Sequence, residues 1–167
     1  MDEKMTEKLP KGETDSLLKS ATEAARNGEL ATAIPRLKQL LEVDPDHQLG
    51  LGMLASIYLQ TGMNEESGTL FEHLLQKHPE NPLARFQYGL TKLNSGSPEE
   101  AIELWQPLFS DEENFMAHFH GALACLQMGN NADASQHLQI SAVHMPNSHP
   151  LYPQLVELLN SLSKVDA

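Results

Sequence analysis

Within the stretch AHFHGALACLQMG, residues 117–129, stand His118, His120 and the chain's one cysteine, Cys125. Imidazole and thiolate are the usual ligands of zinc and copper, and a thiolate is also a nucleophile. Spacing argues against both uses. On a helix, residues two apart point roughly 200° apart, so His118 and His120 cannot share one metal. His118 and Cys125 fall on one face but about 10 Å apart along the axis. Neither pair has the i, i+4 spacing of a helical zinc pair. These side chains are therefore expected to be packed or half-exposed parts of a helix. The other histidines, His47, His73, His78, His137, His144 and His149, form no ligand string. No metal and no cofactor is predicted.

Other catalytic signatures are missing as well. The chain has no phosphate-cradling glycine loop, no GxSxG and no HExxH. The acidic pairs Glu65–Glu66, Glu99–Glu100 and Glu112–Glu113 fall at helix starts or loops, where negative charge suits the helix dipole. No catalytic residue is assigned, and an enzyme is not expected.

The elements that carry these residues repeat. Gly28, Gly62, Gly96 and Gly129 are spaced 34, 34 and 33 residues apart, and Pro45, Pro79 and Pro146 each follow a glycine by 17 residues. Glu113 holds the proline's place in the third copy. Upstream of each glycine runs an apolar helical pattern, as in Leu51, Leu54, Ala55 and Tyr58. Glycine can end such a helix at positive φ. Downstream, a small residue (Ala33, Ser67, Ala101, Ala134) is followed four positions later by a bulky one (Leu37, Phe71, Trp105, Leu138). The small residue allows close helix approach and the bulky one fills the space behind it. A period of this length predicts stacked helix pairs. Pro35 falls near a helix start, where its missing N–H costs little. Pro107 falls deeper and should bend or shorten its helix, with irregular backbone over 110–114.

Composition agrees. Of 167 residues 40% are hydrophobic but only 5% aromatic, and Leu, Ala and Met supply most apolar volume. Few β-branched residues disfavour a sheet. Lys plus Arg number 11 against 23 Asp plus Glu, a formal charge of -12, which repels phosphate backbones and excludes nucleic acid as a partner. One cysteine permits no internal disulfide and fits a reducing compartment. The charged N-terminus is no signal peptide, and no run approaches the roughly 18 apolar residues of a membrane span. A cytoplasmic protein with no membrane insertion is the simplest reading.

The pattern resembles the tetratricopeptide repeat (TPR) family. The second copy carries it best, in Leu51, Leu54, Ala55, Tyr58, Gly62, Ser67, Phe71 and Pro79; the third offers Tyr88, Gly89, Gly96, Ala101 and Trp105. In the first and fourth copies Ala24 and Cys125 occupy the slot usually held by an aromatic. The resemblance implies an all-α fold, an α-α superhelix (right-handed solenoid) of about four helix pairs. The repeats span 14–47, 48–81, 82–114 and 115–148, behind a disordered tail over 1–12. A capping helix over 149–164 follows, with Leu155, Leu158, Leu159 and Leu162 as its apolar stripe.

The family binds peptides along its first helices. The corresponding slots here are Leu18; Met53, Ser56 and Leu59; Phe86, Gln87, Leu90 and Leu93; and Met116, Phe119, His120, Leu123 and Leu126. Only Lys19 and Arg26 among the groove slots are basic, so the family's carboxylate clamp is not assembled. Such a surface suits an apolar or amphipathic protein segment. The expected function is a non-catalytic interaction module, an adaptor or chaperone-like protein. Alternatives are a homodimeric scaffold using the same faces, internal packing, or docking of the chain's own KMTEKLP segment. The stretch HFHGALACLQMGNNADASQHLQ is also similar to type III secretion chaperones built of these repeats.

Overall fold

The structure, a computed structural model, describes residues 11–165. Those residues form nine α-helices and one 3-10 turn, with no strand among them. The expected tail over 1–12 falls for its first ten residues outside the described residues. Lys11 and Gly12 already belong to the first helix.

The chain divides into two compact units at Ala84/Arg85. The first holds α1 (Lys11–Arg26), α2 (Leu30–Val43), α3 (Gln48–Gln60), α4 (Asn64–Lys77) and the first turn of α5 (Pro82–Asn94). α1 packs on α2, α2 on α3, and α3 on α4. The second holds the rest of α5, α6 (Pro98–Trp105), the 3-10 turn Gln106–Leu108, α7 (Phe115–Gln127), α8 (Asn131–His144) and α9 (Tyr152–Val165). There α6 packs on α7, α7 on α8, and α8 on α9.

One local device recurs at the turn inside each helix pair. Gly28, Gly62, Gly96 and Gly129 all have φ between 74° and 79°. Each places two amide donors over the last carbonyls of the preceding helix, as in Gly62 N–H to Leu59 O at 3.2 Å and Met63 N–H to Tyr58 O at 2.8 Å. This is the Schellman closure, which a glycine adopts without a Cβ penalty. The first helices are started by side-chain caps. His47 Nδ1 accepts from Gly50 N–H, Asn81 Oδ1 from Ala84 N–H and Asn114 Oδ1 from Ala117 N–H.

The small-then-bulky columns form the cores. Ala33, Leu37, Ser67, Phe71, Ala101, Trp105, Ala134 and Leu138 are all at most 1% exposed. Each large apolar side chain so buried stabilises by about 1.5–3 kcal/mol. Ser67 remains polar at no loss because its hydroxyl donates to the Ala55 carbonyl at 2.9 Å, tying α4 to α3. Ser141 does the same for α8 and α7, donating to Phe115 O at 3.0 Å.

The prolines act differently from each other. Pro107 ends α6 after eight residues and starts the 3-10 turn. Pro35 is the sixth residue of α2, further in than its sequence position suggested. The helix runs through it, forgoing one backbone bond at an exposed site. At the far end, α9 lays Leu155 and Leu162 into the core made by Phe119, Cys125, Leu138 and Met145.

Candidate functional site

In the second unit, α5 and α7 present one face each to a shared cleft. Leu90, Leu93 and Asn94 come from α5, and His120, Leu123, Leu126 and Gln127 from α7. The i, i+3, i+4 spacing of the first set and the i, i+3, i+6 and i+7 spacing of the second keep each set on one helix face. The cavity holds about 480 Å³.

The packing against His120 depends on a glycine. Trp105 is fully buried, and its indole Nε1–H donates to the Phe86 carbonyl at 2.9 Å. A Cβ on Gly89 would lie 2.1 Å from that nitrogen, so only glycine lets α6 approach α5 this closely. The Phe86 ring stacks on Trp105 at 6.0 Å and meets the His120 ring edge-on at 5.6 Å. His120 is thus held against two aromatic rings, and burial pulls its pKa down to about 4. At neutral pH it carries no charge. No Asp, Glu, Lys or Arg lines the cleft. Lys92, one residue from Leu93, instead pairs with Glu100 at 2.6 Å and lies over the Tyr88 ring.

The structure brings together Leu90, Leu93, His120, Leu123 and Leu126 from the slots predicted by sequence, with Phe86 against His120. Gln87 and Met116 are half-buried on the same two helices. Phe119 is not available to a ligand. It is 1% exposed and packs with Leu138, Met145 and Leu155, because α9 covers the outer face of the last helix pair. Leu93, at 8% exposure, contributes only an edge. In the first unit, Leu18, Met53, Ser56 and Leu59 are half-buried. Thr22 links two of them, its hydroxyl lying 2.7 Å from Leu18 O and 3.6 Å from Met53 Sδ.

Asn94 and Gln127, two further groove slots implied by the family resemblance, also line the cleft. Sequence reasoning missed two contacts made by the histidines. His73 Nε2 meets Asp46 at 2.7 Å beside Lys77, and these two partners hold the Asp46 carboxyl below its ordinary pKa. His118 and His137 meet Nδ1 to Nδ1 at 2.9 Å. The signal for the second lay in the register: relative to the turn glycine, they occupy the columns of Leu51 and Leu70. Cys125 is buried, and burial raises its pKa, which keeps it a protonated thiol. Among the described residues no three His, Cys, Asp or Glu side chains group so as to hold a metal ion, and no helix is long and apolar enough to cross a membrane.

Residues 18–82 match the tetratricopeptide repeat family model. Comparison with curated proteins gives no match. Among solved structures, MamA superposes with a TM-score of 0.78 at 16% identity, over 91% of this chain and 87% of that one. MamA from Desulfovibrio magneticus RS-1 (41-end) gives 0.76 at 13% identity, over 92% and 95%. YrrB, a TPR protein described as having an unusual peptide-binding site, gives 0.77 at 16% identity, over 98% and 80%. At these identities the likeness is one of fold, the all-α helical-repeat solenoid. Over residues 18–82 the chain matches the tetratricopeptide-repeat family, and the four turn glycines at positive φ extend the same helix-pair pattern along the described residues.

Proposed function

We propose that the chain is a non-catalytic adaptor or chaperone-like module that holds an apolar or amphipathic segment of a partner protein in the cleft between α5 and α7. One observation carries this reading. The cleft is walled by four leucines and an uncharged histidine, with the amides of Asn94 and Gln127 as its only other polar side chains. A charged peptide terminus would be desolvated there without a counter-ion, a heavy penalty. Hydrocarbon side chains would displace water from leucine surface, and the two amides could satisfy the segment's backbone.

The test is a selection of displayed peptides on the wild type, followed by binding to Leu90→Asp and Phe86→Asp variants. The reading expects selected peptides to be apolar or amphipathic, and affinity for Leu90→Asp to fall at least about tenfold. Selected peptides that bind both proteins equally would defeat it.

Self-association through apolar faces is the second reading. It draws support from Leu49 and Leu83, 61% and 64% exposed, which hold equivalent positions at the starts of α3 and α5. Light scattering separates the two: a monomeric wild type whose Leu90→Asp variant loses only peptide capture excludes the scaffold.

A further inference from the structure

The fourth helix pair is polar where the second is hydrocarbon. His118 and His137 replace the leucines of the corresponding columns, and their Nδ1 atoms lie 2.9 Å apart across α7 and α8. A hydrogen bond between two imidazole nitrogens requires one protonated and one bare. His118 is 2% exposed, with its Nε2 buried; His137 is half-buried.

Phe109 roofs this pair. Its ring centroid lies 4.5 Å from that of His137 and 5.4 Å from that of His118. The ring tip rests on α7, 2.9 Å from where a Cβ on Gly121 would stand. Phe109 itself belongs to no helix. It follows the 3-10 turn that Pro107 imposes and leads into a loop secured by short-range bonds, such as Ser110 Oγ–H to Pro107 O and Asn114 N–H to Asp111 O.

We propose that the His118–His137 pair is a proton-operated latch: while it shares one bridging hydrogen it holds Phe109 and the 106–114 segment on α7, and full protonation releases that segment while the helices stay folded. One added proton leaves an N–H⁺···N bond across the contact. Two leave N–H facing N–H between two cations, and the bond is gone. Burial is the largest influence on both rings and lowers their proton affinity. The other groups facing the pair divide. A hydrogen bond to the Asp111 backbone and the carboxylates of Glu112 and Asp111 in the loop raise the affinity of His118, and Asp133 of α8 raises that of His137, whereas His144 of α8 lowers that of His118 and the two rings' own charges oppose each other. Release is therefore expected below the ordinary imidazole range.

Nuclear magnetic resonance on the full chain, with a chelator present, can follow histidine ring nitrogens and backbone amides from about pH 7.5 to about pH 4. The latch expects the amides of 106–114 to move in one transition that tracks the rings of His118 and His137, with far-UV circular dichroism unchanged. In His137→Gln, whose side chain can still donate to His118 but takes no proton, that transition should vanish or move down by about one pH unit or more. In Phe109→Ala the same amides should already hold their acid positions at neutral pH. The proposal is overturned if the rings titrate while these amides stay still, if His137→Gln titrates like the wild type, if Phe109→Ala leaves the amides at their neutral positions, or if helix content falls together with the amide transition.

Discussion

Two glycines inside helices, Gly89 and Gly121, are alike in sequence and unlike in consequence. A methyl on Gly89 meets the fully buried Trp105 ring at 2.1–2.8 Å, and that ring is tethered through its N–H. Gly89→Ala is expected to cost about 2–4 kcal/mol, as overpacking plus a lost hydrogen bond. A methyl on Gly121 meets only the ring tip of half-exposed Phe109 at 2.9 Å. That side chain can give, and Ala is the better helix former by about 1 kcal/mol, so Gly121→Ala should stay within about 1 kcal/mol of wild type. Urea unfolding followed by Trp105 fluorescence measures both. The histidines make a second residue-scale prediction. The folded pKa of His120, about 4, lies below its ordinary 6.5. The unfolded chain therefore takes up this proton first, and the stabilisation is full above about pH 6.5. It declines as pH falls from there to about 4, by up to about 3 kcal/mol. His118 and His137 are lowered too and add loss of the same sign. Unfolding free energies across that range should show a shallower slope in His120→Leu than in wild type. An equal slope would mean that His120 titrates normally.

At the scale of elements, the turn glycines and Pro107 act on their own neighbours in the chain, which is why the helix pairs and the shortened α6 were legible from the sequence. The apolar stripe of α9 was legible too. What it covers was not. By laying Leu155 and Leu162 against Phe119 and Leu138, α9 turns a predicted groove residue into core. Leu155→Ala is expected to cost about 2–5 kcal/mol, because the side chain is fully buried and its neighbours are held by helices on both sides. Calorimetry should record a matching drop in the thermal midpoint. Leu158→Ala, at a half-buried position, should cost less. Equal losses would mean that α9 packs through a different face.

At the scale of the whole molecule, the charge of -12 is the dominant long-range influence. Self-repulsion works against the folded chain at low ionic strength and is screened by salt. Raising sodium chloride from about 20 mM to about 300 mM should lift the thermal midpoint by about 3 °C, equivalent to about 1 kcal/mol. A midpoint independent of salt would show the charges already well separated. That acidity contrasts with the cleft between α5 and α7, whose lining carries no Asp, Glu, Lys or Arg. The repeat and its period were legible in the sequence alone, because each rests on residues close together in the chain: a glycine that must reach positive φ and a small residue one turn before a bulky one. Tertiary structure alone decided that Phe119, the neighbour of the cleft residue His120, faces the core, and that His118 finds His137. Those outcomes depend on which helix arrives at which face, and no spacing within one helix records the arrival of another.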